Sequence, residues 1–388
     1  MSEPLKRATN VPESYSPKTK PEILRVMEEN AMSVPANARV VRTSDGGSYI
    51  DGVLALRWGE WKDCTYCGAA SLLLNMIGAD ATYEQVMGLT GSCYRFSMCY
   101  GWDPGSDILN VNYAYLGYSD GCGVDRNANR AFGYDFVTYA DEDERDERVR
   151  QSIDAGVPVL ALGGRFAPEW NIITGYEITA EGVRYFGRSY FDWDAPENEL
   201  HTPNRYVFND KYPGEAPGLF VKLCEKSGEP LSQLDALKVS LETCLKMFSP
   251  HKFIGYGAYE FMVESLMKNE YPNAEDTGRR YEGWDICMHF AILLDARRAG
   301  YIYLEESAEI LSGGNKKKLK AVAALYKDMV EALSAVLDYD KLHSHEYDAR
   351  ITVEPKLRAE IAGALRKMEA LERQARVIVA DLLENWEV

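Results

Sequence analysis

Residues 63–78 read Asp-Cys-Thr-Tyr-Cys-Gly-Ala-Ala-Ser-Leu-Leu-Leu-Asn-Met-Ile-Gly. An unbroken, mostly apolar run over 65–77 between an acid and a glycine predicts a buried helix, with Asp63 as its acidic cap and Gly78 as its stop. A cysteine in the first turn of such a helix feels unpaired backbone N–H groups and the positive end of the helix dipole, and both favour a thiolate. Cys64, directly after Asp63, holds that place; Cys67 lies one turn further in. The small residues at 68–71 let neighbouring backbone approach, as a nucleophile site needs. Other readings stay open at this point. Both thiols could simply pack in a core. Cys64-x-x-Cys67 at a helix start is also the arrangement of dithiol redox sites, and Cys93 and Cys99 could complete a zinc or iron–sulfur set.

Outward from this helix the chain changes character twice. Residues 1–20 are polar and proline-containing, and read as a flexible lead. Residues 21–222 mix short apolar and aromatic runs with Gly, Asp and Asn punctuation, which argues for an α+β domain with long loops. Within it, 157–162, 171–178 and 183–190 read as strands, the last two joined as a hairpin through Thr179-Ala180-Glu181-Gly182. The charged run 141–150 opens a helix whose acids and bases form a solvated face. Gly and Pro recur between Pro213 and Ser232, and beyond them the period is helical. Leu319, Val322, Leu325, Met329, Leu333 and Val336 mark one amphipathic helix. A second carries Leu357, Ile361, Leu365, Met368, Leu371, Ala375, Ile378, Leu382 and Trp386. Residues 223–388 are therefore expected to be all-α.

The 388 residues suffice for two or three domains. With 43 Lys+Arg against 60 Asp+Glu, the charge of −17 repels phosphate backbones, so no nucleic-acid partner is expected. No stretch is long and apolar enough to suggest a membrane span, and the first residues show no apolar leader, so a cytoplasmic location is expected. Eight cysteines are too few for a disulfide scaffold. Histidine is scarce: of five, the only one before residue 250 is His201.

Asp63 to Gly78, followed by Tyr83-Glu84-Gln85-Val86-Met87-Gly88-Leu89-Thr90-Gly91-Ser92-Cys93-Tyr94-Arg95-Phe96, resembles the N-terminal domain of the butirosin-biosynthesis acyltransferase type. There a cysteine opens a helix that ends in glycine. It is similar, more loosely, to papain-like peptidases that process bacteriocin leaders, whose later signature is a His-Trp pair on a strand and then an aspartate after the next strand. Trp170-Asn171-Ile172-Ile173-Thr174-Gly175-Tyr176-Glu177 matches that strand, and Asp192 or Asp194 falls after the next. Glu169 stands where the histidine should be, and Trp58 and Trp61 occupy the places of the expected glutamine. The resemblance implies a papain-like cysteine hydrolase-type domain, followed here by the helical domain. It implies acyl transfer or amide hydrolysis through a thioester on Cys64, with Asp192 or Asp194 as orienting group. Three readings of the proton acceptor stay open: Glu169 in a Cys–Glu variant, His201 reaching in from a loop, or a fold kept for binding with hydrolysis lost.

Cys67, Arg95, Trp102, Trp170 and Asn171 are the candidates to line the substrate cleft; Arg95 could clamp a carboxylate. The expected substrate is a small molecule, a peptide or an acyl group on a carrier protein. No cofactor or metal is implied. The helical domain could cover the cleft or make a homo-oligomer contact. His343-Ser344-His345 has metal-site spacing and lies near Asp338, Asp340 and Asp348, but between helices, where acidic loop residues are common.

Overall fold

The structure, a computed structural model, describes residues 39–99, 101–102, 130–139, 141–162, 169–180, 182–190, 192, 200–202, 205–207, 220–247, 254–271 and 286–386. The lead 1–20, Cys122, Asp194, Trp284, and residues 103–105 and 120–123 lie outside the described residues. The strands are β1 (Arg39–Arg42), β2 (Ser48–Asp51), β3 (Tyr134–Val137), β4 (Val159–Leu162), β5 (Trp170–Thr179), β6 (Gly182–Arg188), β7 (Leu200–Thr202), β8 (Arg205–Val207) and β9 (Phe220–Lys226). The helices are α1 (Thr65–Met76), α2 (Tyr83–Thr90), α3 (Glu142–Asp154), α4 (Gln233–Lys246), α5 (Tyr256–Lys268), α6 (Ile286–Ser307), α7 (Gly313–Ser334), α8 (Tyr339–His343), α9 (Asp348–Val353) and α10 (Pro355–Glu384). The chain is α+β, with a sheet region and then a helical C-terminal region.

Spatial clustering gives two compact units, and neither is continuous in sequence. A sheet unit takes its described residues from 39–57, 72–79 and 137–224; a helical unit takes them from 58–71, 80–136 and 225–386. The segment around Cys64 thus clusters with the C-terminal helices, whereas sequence organisation groups it with residues 21–222.

In the sheet unit the strand order is β9-β4-β5-β6-β8-β7, antiparallel at each pairing, with β2 added to β5 and β1 to β2. The β5–β6 hairpin closes at Thr179 and Gly182, as the sequence predicts. Val159, Ala161, Ile173, Tyr176, Val221 and Leu223 from the strands pack with Val149 and Ile153, the two buried residues of α3. The rest of α3 is the solvated face its charges predict, capped by Asp141, which accepts the Glu144 N–H at 2.9 Å.

In the helical unit, α6 carries fifteen buried residues, and α7 packs against both α6 and α10. Of the stripe expected on α7, Leu319, Val322, Met329 and Leu333 are buried, while Leu325 and Val336 are half-buried, the latter beyond the helix end. On α10 the stripe turns after Met368 to Glu372, Ala375, Val379 and Leu382, leaving Leu371, Ile378 and Trp386 only half-buried. Glu372 is wholly buried because it answers Arg297 of α6, also wholly buried. Arg297 Nε donates to Glu372 Oε2 at 2.9 Å, Nη2 to the Tyr259 hydroxyl at 3.2 Å, and Nη1 to the carbonyls of Cys93 and Arg95 at 2.9 and 3.2 Å. The Tyr326 hydroxyl donates to the other Glu372 oxygen at 2.6 Å. This network ties α5, α6, α7 and α10 to the segment following α2.

Candidate active site around Cys64

α1 begins where its sequence says. The Cys64 carbonyl accepts the first helical bond, from Gly68 N–H at 2.9 Å, which makes Cys64 the cap residue. At the far end Gly78, at φ +84, places its N–H on Asn75 O at 3.1 Å, and Ala79 N–H reaches Leu74 O at 2.9 Å. Those two bonds are the closing pair of a glycine-terminated helix.

The cap chemistry differs from expectation. The Cys67 backbone N–H donates to the Cys64 sulfur while the Cys64 thiol hydrogen-bonds the Cys67 sulfur, so sulfur takes the capping position expected of Asp63. The Asp63 carboxylate turns elsewhere. Its Oδ1 accepts Gly59 N–H at 3.2 Å, and its Oδ2 accepts the Tyr339 hydroxyl at 2.8 Å and faces His343 Nε2 at 3.1 Å. Three partners outside α1 engage the carboxylate, and the cap position falls to the next residue.

Asp63 N–H donates to Asp295 Oδ2 at 3.1 Å, and the Tyr83 hydroxyl donates to the same oxygen at 2.5 Å. Cys64 N–H in turn donates to the Tyr83 oxygen at 2.9 Å. Asp295 and the Cys64 backbone therefore grip one phenol. Asp295 is 1% exposed, and its Oδ1 is buried with no hydrogen-bond partner.

Above Asp63 the turn 58–62 is held open by aromatic contacts. Trp61 sits at φ +60, a backbone that costs a bulky residue about 1–2 kcal/mol. Its N–H donates to the Tyr339 hydroxyl at 3.0 Å, its ring stacks on Tyr339 at 3.8 Å, and the Arg298 guanidinium lies 5.3 Å from its centre. Trp58 meets the His343 ring edge-on at 5.9 Å. Gly59, at φ +74, lets that ring close in: a Cβ there would lie 3.2 Å from His343 Nδ1.

Burial pushes the Cys64 thiol well above its ordinary pKa, the Cys67 thiol and the Asp295 charge push the same way, and the Cys67 N–H opposes them. The resting thiol is protonated. Asp295 is likewise pushed well up, first by burial and then by the charge of Asp63, against the lowering bonds from Tyr83 and Asp63 N–H. Since the native pKa lies above the unfolded value, the folded chain keeps a proton on Asp295 that the unfolded chain releases from about pH 4 upward. The resulting stabilisation is complete below that pH and is lost as pH rises through the native pKa. Asp295→Asn is expected to flatten this decline, which urea melts from acid to mildly alkaline pH will measure.

The remaining sequence candidates separate into two places. Cys67, wholly buried, lies 3.6 Å from both Thr90 Oγ1 and Ser92 Oγ, in the helical unit with Cys64. Arg95 is buried there, its carbonyl held by Arg297. Trp102 is wholly buried, its ring within 6.5 Å of Phe261, Tyr271, His289 and Phe290, in a core position. Glu169, Trp170, Asn171, Asp192 and His201 belong to the sheet unit. Trp170 is buried in β5 with the Lys222 ammonium 5.8 Å from its ring, and Asn171 Nδ2 donates to the Glu169 carbonyl at 2.8 Å. The Asp192 carboxylate accepts Arg188 Nη1 at 3.1 Å and Ser189 N–H at 2.8 Å, a buried ion pair within that unit. His201 lies in β7.

Sequence reasoning missed Asp295, Tyr83 and Tyr339. An aspartate inside the otherwise apolar run 286–296 was the available signal, since a lone acid there must find buried partners. The two histidines of His343-Ser344-His345 go to different carboxylates, His345 Nδ1 facing Asp348 Oδ2 at 2.9 Å. Among the described residues no group of three or more His, Cys, Asp or Glu side chains is placed to hold a metal ion, and no helix is long and apolar enough to cross a membrane. Comparison with protein-family models finds no match, and comparison with curated proteins finds none either.

Proposed function

We propose that the chain is a cysteine-dependent acyltransferase or amidohydrolase that works through a thioester on Cys64. The observation that carries this reading is the position of Cys64 as the cap of a buried helix. There the dipole and the first-turn N–H groups stabilise negative charge on sulfur and on a carbonyl oxygen attacked by it. The Thr65 and Tyr66 N–H groups are the oxyanion donors, because the Cys67 N–H is directed at the sulfur. Asp295, linked to the Cys64 backbone N–H through Tyr83, is the proton acceptor in the fraction of molecules where it has lost its own proton, and its raised pKa makes it the stronger base there. The thiol proton passes to Asp295, the thiolate attacks the acyl carbon, and the leaving group departs with that proton. An amine or water then releases the acyl group. In this reading the acceptor comes from the helical unit, and Asp192 serves Arg188.

Treatment with p-nitrophenyl acetate tests this. Acetyl is expected on Cys64 by peptide mass mapping, at a rate that Asp295→Asn lowers by about 10²-fold. Acetyl on other nucleophiles with Cys64 unmodified would overturn the proposal. One observation favours a second reading, a non-catalytic ligand-binding module: burial holds the Cys64 proton on. Alkylation by iodoacetamide that is slow and indifferent to Asp295→Asn would support that alternative.

A further inference from the structure

We propose that Cys64 and Cys67 form a peroxide-sensitive dithiol that closes into a disulfide and takes the Cys64 sulfur out of service. The consequence for activity rests on the thioester reading; the disulfide chemistry does not. Three observations carry it. The two cysteines are the cap and third residues of α1, so helix geometry puts their Cα atoms roughly 5 Å apart, inside the window of roughly 4.4–6.8 Å that disulfides use. Their sulfurs are already hydrogen-bonded to one another, with the Cys67 N–H also on the Cys64 sulfur. Both are free thiols, and Cys67 is flanked by the Ser92 and Thr90 hydroxyls, its thiol donating to Ser92 Oγ.

The chemistry is two displacements. The Cys64 thiolate attacks one peroxide oxygen, the O–O bond breaks, and the departing hydroxide takes the thiol proton to become water, leaving a sulfenic acid. The Cys67 thiolate then attacks that sulfur, the S–O bond breaks, and the second hydroxide leaves as water with the Cys67 proton. Two sulfurs are oxidised by one step each, and the peroxide is reduced to two waters. Exposure selects the order: Cys64 is 4% exposed and Cys67 is 0% exposed, so the small oxidant meets Cys64 first and Cys67 resolves it. Because burial holds the Cys64 proton on, oxidation is expected to quicken as pH rises.

The full chain, treated with hydrogen peroxide and mapped without reduction, tests the proposal. Cleavage after Lys62 and Arg95 leaves both sulfurs and Cys93 on one peptide, so fragmentation must place the bond. The expected result is loss of two hydrogens between Cys64 and Cys67, an alkylatable Cys93, reversal by dithiothreitol, and loss of Cys64 acetylation while oxidised. Cys67→Ser, which keeps a hydroxyl beside Thr90 and Ser92, is expected to stop at a Cys64 sulfenic acid that dimedone traps. Two free thiols after the half-buried Cys99 has been oxidised would overturn the proposal, as would sulfinic acid on Cys64 of the wild type with no link to Cys67. A disulfide in a protein that never acetylates on Cys64 would retire the thioester reading and leave this one standing.

Discussion

Arg297→Met is expected to cost about 3–5 kcal/mol of stability, because it strands the Glu372 carboxylate in the core of the helical unit without its cation. Guanidinium melts or calorimetry will read this as a fall in Tm on the order of 10 °C. Glu372→Gln should cost a comparable amount, for the complementary reason. The informative variant is the pair Arg297→Met with Glu372→Leu, which removes both charges. Burying two ions already consumed much of their attraction, so the double variant should recover a large part of either single loss. It will not recover all of it. Arg297 also holds the carbonyls of Cys93 and Arg95, and those acceptors would be left without their donor.

Trp102→Ala is the second large effect, expected at about 3–5 kcal/mol. The indole is wholly buried among Phe261, Tyr271, His289 and Phe290, and its removal leaves a void that those rings cannot collapse to fill. Trp102→Phe should lose distinctly less, since it keeps an aromatic ring in the same setting. Urea melts of the two variants decide between this and a substrate-lining role, for which both losses would be small.

Local features of the fold were legible because local physics sets them. An acid, an apolar run and a glycine at 63–78 were enough to place α1, and alternating runs around a four-residue turn were enough to place β5 and β6. The α10 stripe was legible as far as Met368 and again at Ala375 and Leu382. Just beyond Met368 the helix presents Glu372 rather than Leu371, because the partner to be answered is a buried arginine, which a hydrophobic period cannot register. The site divides in the same way. Cys64 could be singled out from its neighbours in sequence, but Asp295 and Tyr339 come from elements more than two hundred residues away. The family resemblance supplied Glu169 and Asp192, whereas the carboxylate joined to the Cys64 N–H through Tyr83 is Asp295, 232 residues from Asp63. His343 was visible as half of a possible metal pair, yet its ring serves Asp63.

The strained turn at Trp61 also sets an order of events during synthesis. Its backbone bond goes to Tyr339, 278 residues later, and the Asp63 bonds to Tyr339 and His343 span 276 and 280 residues. Contacts of such separation close late, after most of the chain entropy has been lost. While a ribosome is still translating the middle of the message, α1 can be formed with its cysteines near the cap. The bonds from Tyr339 and His343 to Asp63 have not yet formed. The turn above Asp63 therefore stays unanchored for nearly the whole of translation, until α8 emerges.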